Sequence, residues 1–278
     1  MSRRRCERLC PRLSTGSISR GPQSRHPEPL RDQRGCNGQR FLQRARQLGD
    51  SLIARASSNE KGCYWTNVDG VNYFGHCHGG SGIGLFLLYL HLATGDDRYL
   101  SYARSALDYE IAHGRIDDKD AAWDRAEGDT VEMPYWRFGS SGIGSALIRF
   151  AAILGDSGYR AVAEKTAHYA ASKYAAFPGQ LLGLSGIGEF LIDMYCFTGL
   201  DKYLNDAFRI ADGIRLYHIR RPEGIAFPGE QLVRICTDYG TGSAGVGMFL
   251  HRLLEPAGRL FYDDVGVACT ITLSANCR

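Results

Sequence analysis

The chain has 278 residues, 44% hydrophobic and 23% charged, with 34 glycines, 9 prolines and 9 cysteines. That is enough for a sizeable core in one large or two small domains, and it excludes a collagen, a coiled coil and a wholly disordered protein. The net charge of +3 hides an asymmetry: residues 1–46 hold 12 Arg against 3 acidic groups, so the basic balance belongs to the N-terminal segment and the body is mildly acidic.

The first 36 residues are rich in Arg, Ser, Pro and Gly and poor in aliphatics. Such a composition buries too little surface to offset its ordering entropy, and residues 1–40 read as a basic disordered tail. No aromatic is interleaved with these arginines to stack on bases, which argues against a nucleic-acid arm. The start Met1-Ser2-Arg3-Arg4-Arg5-Cys6 is followed by no apolar run, which argues against a secretory signal. The nine scattered cysteines therefore read as mostly reduced, in a cytoplasmic protein. Cys6, Cys10 and Cys36 lack a completing ligand nearby, so no metal site is expected there. The most apolar stretch, from Ile83 to Ala93, is too short for a bilayer, which needs about 20 residues, and reads as a buried core helix.

Helical spacing begins near Phe41, with Leu42, Ala45, Leu48, Leu52 and Ile53 at intervals of three and four. One pattern then recurs four times. The copies are His78-Gly79-Gly80-Ser81-Gly82-Ile83-Gly84, Phe138-Gly139-Ser140-Ser141-Gly142-Ile143-Gly144, Leu182-Gly183-Leu184-Ser185-Gly186-Ile187-Gly188 and Tyr239-Gly240-Thr241-Gly242-Ser243-Ala244-Gly245-Val246-Gly247. Each opens an apolar run, and three of these runs stop at a glycine: Gly95, Gly155 and Gly199. An Asp after each is placed to cap a second helix, such as the one with Tyr99, Leu100, Ala103, Ala106 and Leu107 or the one with Tyr203, Leu204, Ala207, Ile210 and Ala211. Period-two alternation is almost absent. The class is all-α, built from stacked helix pairs. The Gly-rich turns allow close backbone approach and leave free N–H groups at the positive ends of helix dipoles. If the inner helices all begin on one face, these turns gather there as a polar floor over an apolar wall.

This combination resembles the lanthionine synthetase C-like family, over about Gly62 to Asp264. The resemblance implies a partial α/α toroid of helix-pair repeats with Gly-rich turns at the inner-helix starts. The stretch from Arg221 to Gly229, followed by Thr237-Asp238-Tyr239-Gly240-Thr241-Gly242, is similar to the C-terminal cyclase region of fused kinase–cyclase synthetases. In those enzymes Ser and Thr of a precursor peptide are phosphorylated and phosphate is eliminated. The cyclase domain then adds a Cys thiol across the dehydroamino acid to give a thioether ring. By the same resemblance, His78-Gly79 matches a motif whose His is an acid/base. Arg137 falls where zinc-bearing members carry a Cys ligand, and Leu181-Leu182 falls where they carry Cys-His. No metal or other cofactor is therefore expected. Four motif copies are fewer than the family's ring of about seven helix pairs, and no kinase Gly-rich loop or His-Arg-Asp motif is present. Residues 41–264 read as an incomplete cyclase domain and residues 265–278 as a C-terminal tail.

Thioether formation needs a thiolate, a group to stabilise an enolate and an acid for the α-carbon. His78 titrates near neutrality in its unperturbed form and suits either proton role. Arg137 suits charge stabilisation of thiolate or enolate. Asp238 and Tyr239, ahead of the fourth Gly turn, are candidates for orientation. The expected partners are a dehydrated, Cys-containing precursor peptide and either a kinase/lyase domain or the missing part of the cyclase, with no nucleic acid and no membrane span. The alternative is a non-catalytic peptide-binding module or an inactive fragment of a larger synthetase. A carbohydrate-active toroid enzyme would need two carboxylates across a cleft, and the Gly turns carry none at equivalent places. Glu189 and Asp193, on one helix, have no evident partner in the sequence.

Overall fold

A computed structural model describes residues 34–171, 175–259 and 262–263. The tails expected over most of 1–40 and over 265–278 lie outside the described residues. The chain divides into two units, 1–41 and 42–278. In the first, the described residues belong to helix α1 (Arg34–Ala54), so residues 34–40, expected as tail, are helical; its opening turns carry no apolar spacing for the sequence to show.

In the second unit the order is β1 (Ser57–Asn59), β2 (Gly62–Tyr64), α2 (Gly80–Thr94), α3 (Asp97–Ala112), β3 (Arg115–Ile116), β4 (Ala121–Ala122), α4 (Ser140–Leu154), α5 (Ser157–Ala171), α6 (Leu184–Thr198), α7 (Asp201–Ile214), β5 (Ile219–Arg221), β6 (Gly224–Ala226) and α8 (Ser243–Leu254). The strands form three antiparallel hairpins, β1–β2, β3–β4 and β5–β6. They are two or three residues long, too short to show an alternating pattern in the sequence. The fold is all-α: helix pairs arranged as part of an α/α toroid. Helices α2, α4, α6 and α8 form an inner row, each packed on the next, and α3, α5 and α7 each cover their own inner partner.

Local chemistry explains the pairs. α2, α4 and α6 end at Gly95, Gly155 and Gly199, all left-handed with φ of 70°, 66° and 69°. Asp96 caps α3 by accepting the Arg98 N–H at 3.0 Å, and Asp156 accepts from Gly158 at 2.8 Å to start α5. The third pair differs: Leu200 is inserted, so Asp201 falls one residue past the cap position and Leu200 supplies no side-chain bond.

Outer helices present one buried stripe that begins with an equivalent tyrosine, Tyr99, Tyr159 or Tyr203, and continues through Ala103, Ala163 or Ala207. Inner helices α4 and α6 are buried on almost every face. The second glycine of each Gly-Ile-Gly faces a phenylalanine of the next inner helix: Gly84 faces Phe150, Gly144 faces Phe190 and Gly188 faces Phe249. These aromatics are fully buried. In α1 the apolar reading needs one correction. Leu48 is 54% exposed, and Gly49 instead lets the helix approach Leu90 and Tyr99. The Tyr99 hydroxyl donates to Asp50 at 2.9 Å.

Candidate functional site

Each inner helix is entered through an elbow that doubles back on itself. A Cβ at Gly82 would collide with the carbonyl of His76, and Gly142, Gly186 and Gly245 stand in the same relation to Trp136, Gln180 and Tyr239. Glycine is therefore required at these four positions, and His76, Trp136, Gln180 and Tyr239 are structurally equivalent. The elbows are stitched in chain order. The N–H of Cys77 donates to the Arg137 carbonyl at 3.2 Å, that of Arg137 to Leu181 at 2.8 Å, and those of Gln180 and Leu181 to Gly240 at 2.9 Å. The four Gly turns thus gather on one face, as the sequence led us to expect.

That stitching brings His78 and Arg137 together, although they are 59 residues apart. Arg137 Nε donates to His78 Nε2 at 3.2 Å. The imidazole is stacked on Phe138 at 4.9 Å, and the guanidinium lies over the same ring at 5.1 Å. Tyr73 leans on both rings. Partial desolvation and the positive charge of Arg137 hold His78 below the usual histidine range, which favours the neutral base. The neighbouring thiol of Cys77 is pushed up to about 11 by desolvation, against the pull of Arg137 and Arg259, so it stays protonated at neutral pH.

Asp238 and Tyr239 lie on the fourth elbow, which is bonded to the third and not to the first. Asp238 accepts from the Thr241 N–H at 2.7 Å and the Thr241 hydroxyl at 2.8 Å. Those bonds hold its carboxyl below the usual range and make it the cap of its own turn. Tyr239 is half-buried, with its carbonyl under Gly245.

Inside the elbows the structure departs from the expected apolar wall. Arg149 donates to Asp193 at 2.9 Å and grips Asp263 through two bonds of 2.9 and 2.8 Å. Arg252 donates to Asp193 at 2.7 Å and to Glu189 at 2.5 Å. Arg259 lies 3.9 Å from Glu189 and 3.8 Å from Asp193, and its N–H donates to Asp263 at 2.6 Å. Glu189 and Asp193, which seemed partnerless in the sequence, are thus the centre of a network of three guanidiniums and three carboxylates, all buried. Burial opposes the charge on Asp193, but the three arginines hold its carboxyl well below the usual range. Charges this deep persist because they are paired and hydrogen-bonded.

Arg259 and Tyr262, beyond α8, reach the first two elbows. Arg259 lies over Trp136 at 4.8 Å, and the Tyr262 hydroxyl is 2.9 Å from His76 Nε2. His76 stacks on Trp136 at 4.4 Å. Burial, with Arg259 and Arg149 nearby, pushes His76 down to about 3, so it is neutral. His76 is not among the residues singled out in the sequence, since its partners Trp136, Arg259 and Tyr262 all come from later in the chain.

The three positions that carry zinc ligands in zinc-bearing members of the resembled family hold Arg137, Leu181 and Leu182. A guanidinium already bonded to His78 and two isobutyl side chains offer no donor pair, so these residues do not fit a zinc ion. Among the described residues no group of three or more His, Cys, Asp or Glu could hold a metal ion. No helix of the described residues is long and apolar enough to cross a membrane.

Helix pairs with stitched Gly elbows at the inner-helix starts define part of an α/α toroid. The family described as lanthionine synthetase C-like protein matches residues 30–263, and the chain belongs to it. It is similar, at 29% identity over 194 residues, to the probable SapB synthase of Streptomyces coelicolor. That match takes in 67% of this chain and 20% of the relative, so the chain spans about a fifth of the length of that curated relative. Among solved structures it is similar to a glycoside hydrolase family 76 α-mannanase of Bacteroides thetaiotaomicron, at 16% identity over 74% of this chain and 56% of that one, with a TM-score of 0.46. A family 76 mannosidase of the same organism gives 17% identity, 63% and 52% coverage and a TM-score of 0.38. Likeness at this level carries no reading of the reaction.

Proposed function

We propose that this chain adds Cys thiols of a precursor peptide across dehydroamino acids, forming thioether rings without zinc, with His78 and Arg137 as the working pair. The observation that carries the reading is the 3.2 Å bond between Arg137 Nε and His78 Nε2, at the two elbow positions that the resemblance matches to an acid/base and a metal ligand. Membership of the lanthionine synthetase C-like family supports a peptide substrate.

The neutral His78 takes the thiol proton at Nε2, once the substrate displaces Arg137 from that nitrogen. The thiolate attacks the β-carbon, a C–S bond forms, and the π electrons of the double bond move to the carbonyl oxygen as an enolate. The freed guanidinium stabilises thiolate and enolate by charge, the part a metal plays elsewhere. The imidazolium then returns its proton to the α-carbon, so the addition is balanced with no other reactant. Tyr73 and Phe138 hold the imidazole plane. Asp238 shapes the fourth elbow, and Tyr239 stands beside it as an orienting group.

The test supplies a dehydrated, Cys-containing peptide and follows loss of free thiol. The chain should consume thiol above the uncatalysed rate. His78→Ala should lose most of that rate, on the order of 10²-fold, with peptide binding retained. Binding without thiol loss by the unaltered chain would replace this reading with that of a peptide-binding module.

A further inference from the structure

Glu110 is a buried carboxyl that the reaction above does not use. It stands on α3, the outer helix of the first pair, with no exposed surface. Its Oε1 accepts the Gly75 N–H at 3.2 Å, while its Oε2 and the Ser81 hydroxyl are buried without a hydrogen-bond partner. It lies so close beneath Gly79 that a Cβ there would collide with Oε1. Gly75 precedes His76-Cys77-His78, and Gly79, Gly80 and Ser81 follow it. One carboxyl therefore bonds the start of the segment that carries His78 and packs beneath its end.

Generic capping does not explain this placement. Helices α2, α4 and α6 are alike in having a glycine N-cap, Gly79, Gly139 or Gly183, with no side-chain bond. Counted from the equivalent tyrosines, the residues matching Glu110 on α5 and α7 are Ala170 and Ile214, both buried. The serines matching Ser81 turn elsewhere: Ser141 donates to the Pro134 carbonyl at 2.5 Å and Ser185 to Pro178 at 2.6 Å. Of the three pairs, only the one bearing the histidine has an acid placed under its elbow, where burying a carboxyl is unfavourable in itself.

We propose that Glu110 is a positioning residue for the His78–Arg137 pair: from the outer layer it bonds the start of the first elbow at Gly75, packs beneath its end at Gly79, and so sets the distance between imidazole and guanidinium. The proposal rests on the reading of that pair as the working pair, and its main readout does not depend on activity. The experiment follows the His78 imidazole by NMR titration in the full chain and in Glu110→Gln. The neutral acid carries one O–H donor, whereas the Gln amide carries two N–H donors on a bulkier end, so the elbow above it shifts and Arg137 moves off. The His78 midpoint should rise by roughly 0.5 pH unit as the neighbouring charge recedes. The amide resonances of the third elbow should stay in place. On an active chain, kcat should fall about tenfold with KM unchanged, the pattern of a displaced reacting group. Should Glu110→Gln fail to fold, Glu110→Asp draws the acceptor back from the Gly75 N–H and should move His78 in the same direction. An unmoved His78 midpoint in whichever variant folds overturns the proposal. A moved midpoint in a chain that never consumes thiol leaves the positioning role standing and overturns the proposed reaction instead.

Discussion

At the scale of single residues, two buried titratable groups set opposite pH dependences. Burial pushes Glu110 up to about 8 from an ordinary 4.5, so the folded state holds a proton that the unfolded state has lost across that window. Its contribution is full below 4.5 and is lost as pH rises towards 8. His76 is pushed down to about 3 from 6.5, so its contribution is full above 6.5 and is lost as pH falls towards 3. Each proton is worth about 1.4 kcal/mol per pH unit. The two slopes cancel between 4.5 and 6.5, where stability should peak. Urea unfolding across pH should therefore show a midpoint that rises as pH drops from 8 to 6.5, and Glu110→Gln should flatten that arm. A flat arm in the unaltered chain would show that the Glu110 proton is not coupled to folding.

The His78–Arg137 meeting was legible in the sequence, because both residues sit next to a repeated glycine motif whose register could be compared copy by copy. The ionic network was not. Asp193 and Asp263 lie 44 and 114 residues from Arg149, and a charge on an apolar helix carries no sign of a distant partner. Glu110 was hidden for a similar reason: it continues the buried stripe of an amphipathic helix and looks like its polar edge.

At the scale of elements, the Gly-Ile-Gly signature serves two contacts at once. Its first glycine clears the elbow carbonyl and its second admits the phenylalanine of the next inner helix. The sequence pattern gave the first use and concealed the second, because the phenylalanine belongs to another repeat. Gly144→Val should therefore push α4 away from Phe190 and destabilise by roughly 1–3 kcal/mol, the usual cost of overpacking. Phe190→Ala should cost about 3–5 kcal/mol by leaving a cavity. If the double variant is less destabilised than the sum of the two, measured by chemical denaturation, the wedge is confirmed; strict additivity would place the two residues out of contact.

At the scale of the whole molecule, the expected floor over an apolar wall is filled by residues that follow the last helix. The segment carrying Arg259, Tyr262 and Asp263 enters between the elbows, and the family match runs to residue 263, the same position. Asp263→Ala leaves Arg149 with one carboxylate partner fewer in a dry interior. The expected loss is about 3–5 kcal/mol in stability, read by urea unfolding, with the elbow resonances of His76 and Trp136 shifted. A loss below about 1 kcal/mol would mean that the segment only lies on the surface.

The most direct test of the account is thioether formation on a dehydrated, Cys-containing peptide by protein stripped with a strong chelator and checked for residual zinc. The account predicts an undiminished rate that falls when Arg137 is replaced by Leu, because the guanidinium supplies the charge. Loss of the rate on stripping, with recovery when zinc is returned, would contradict it.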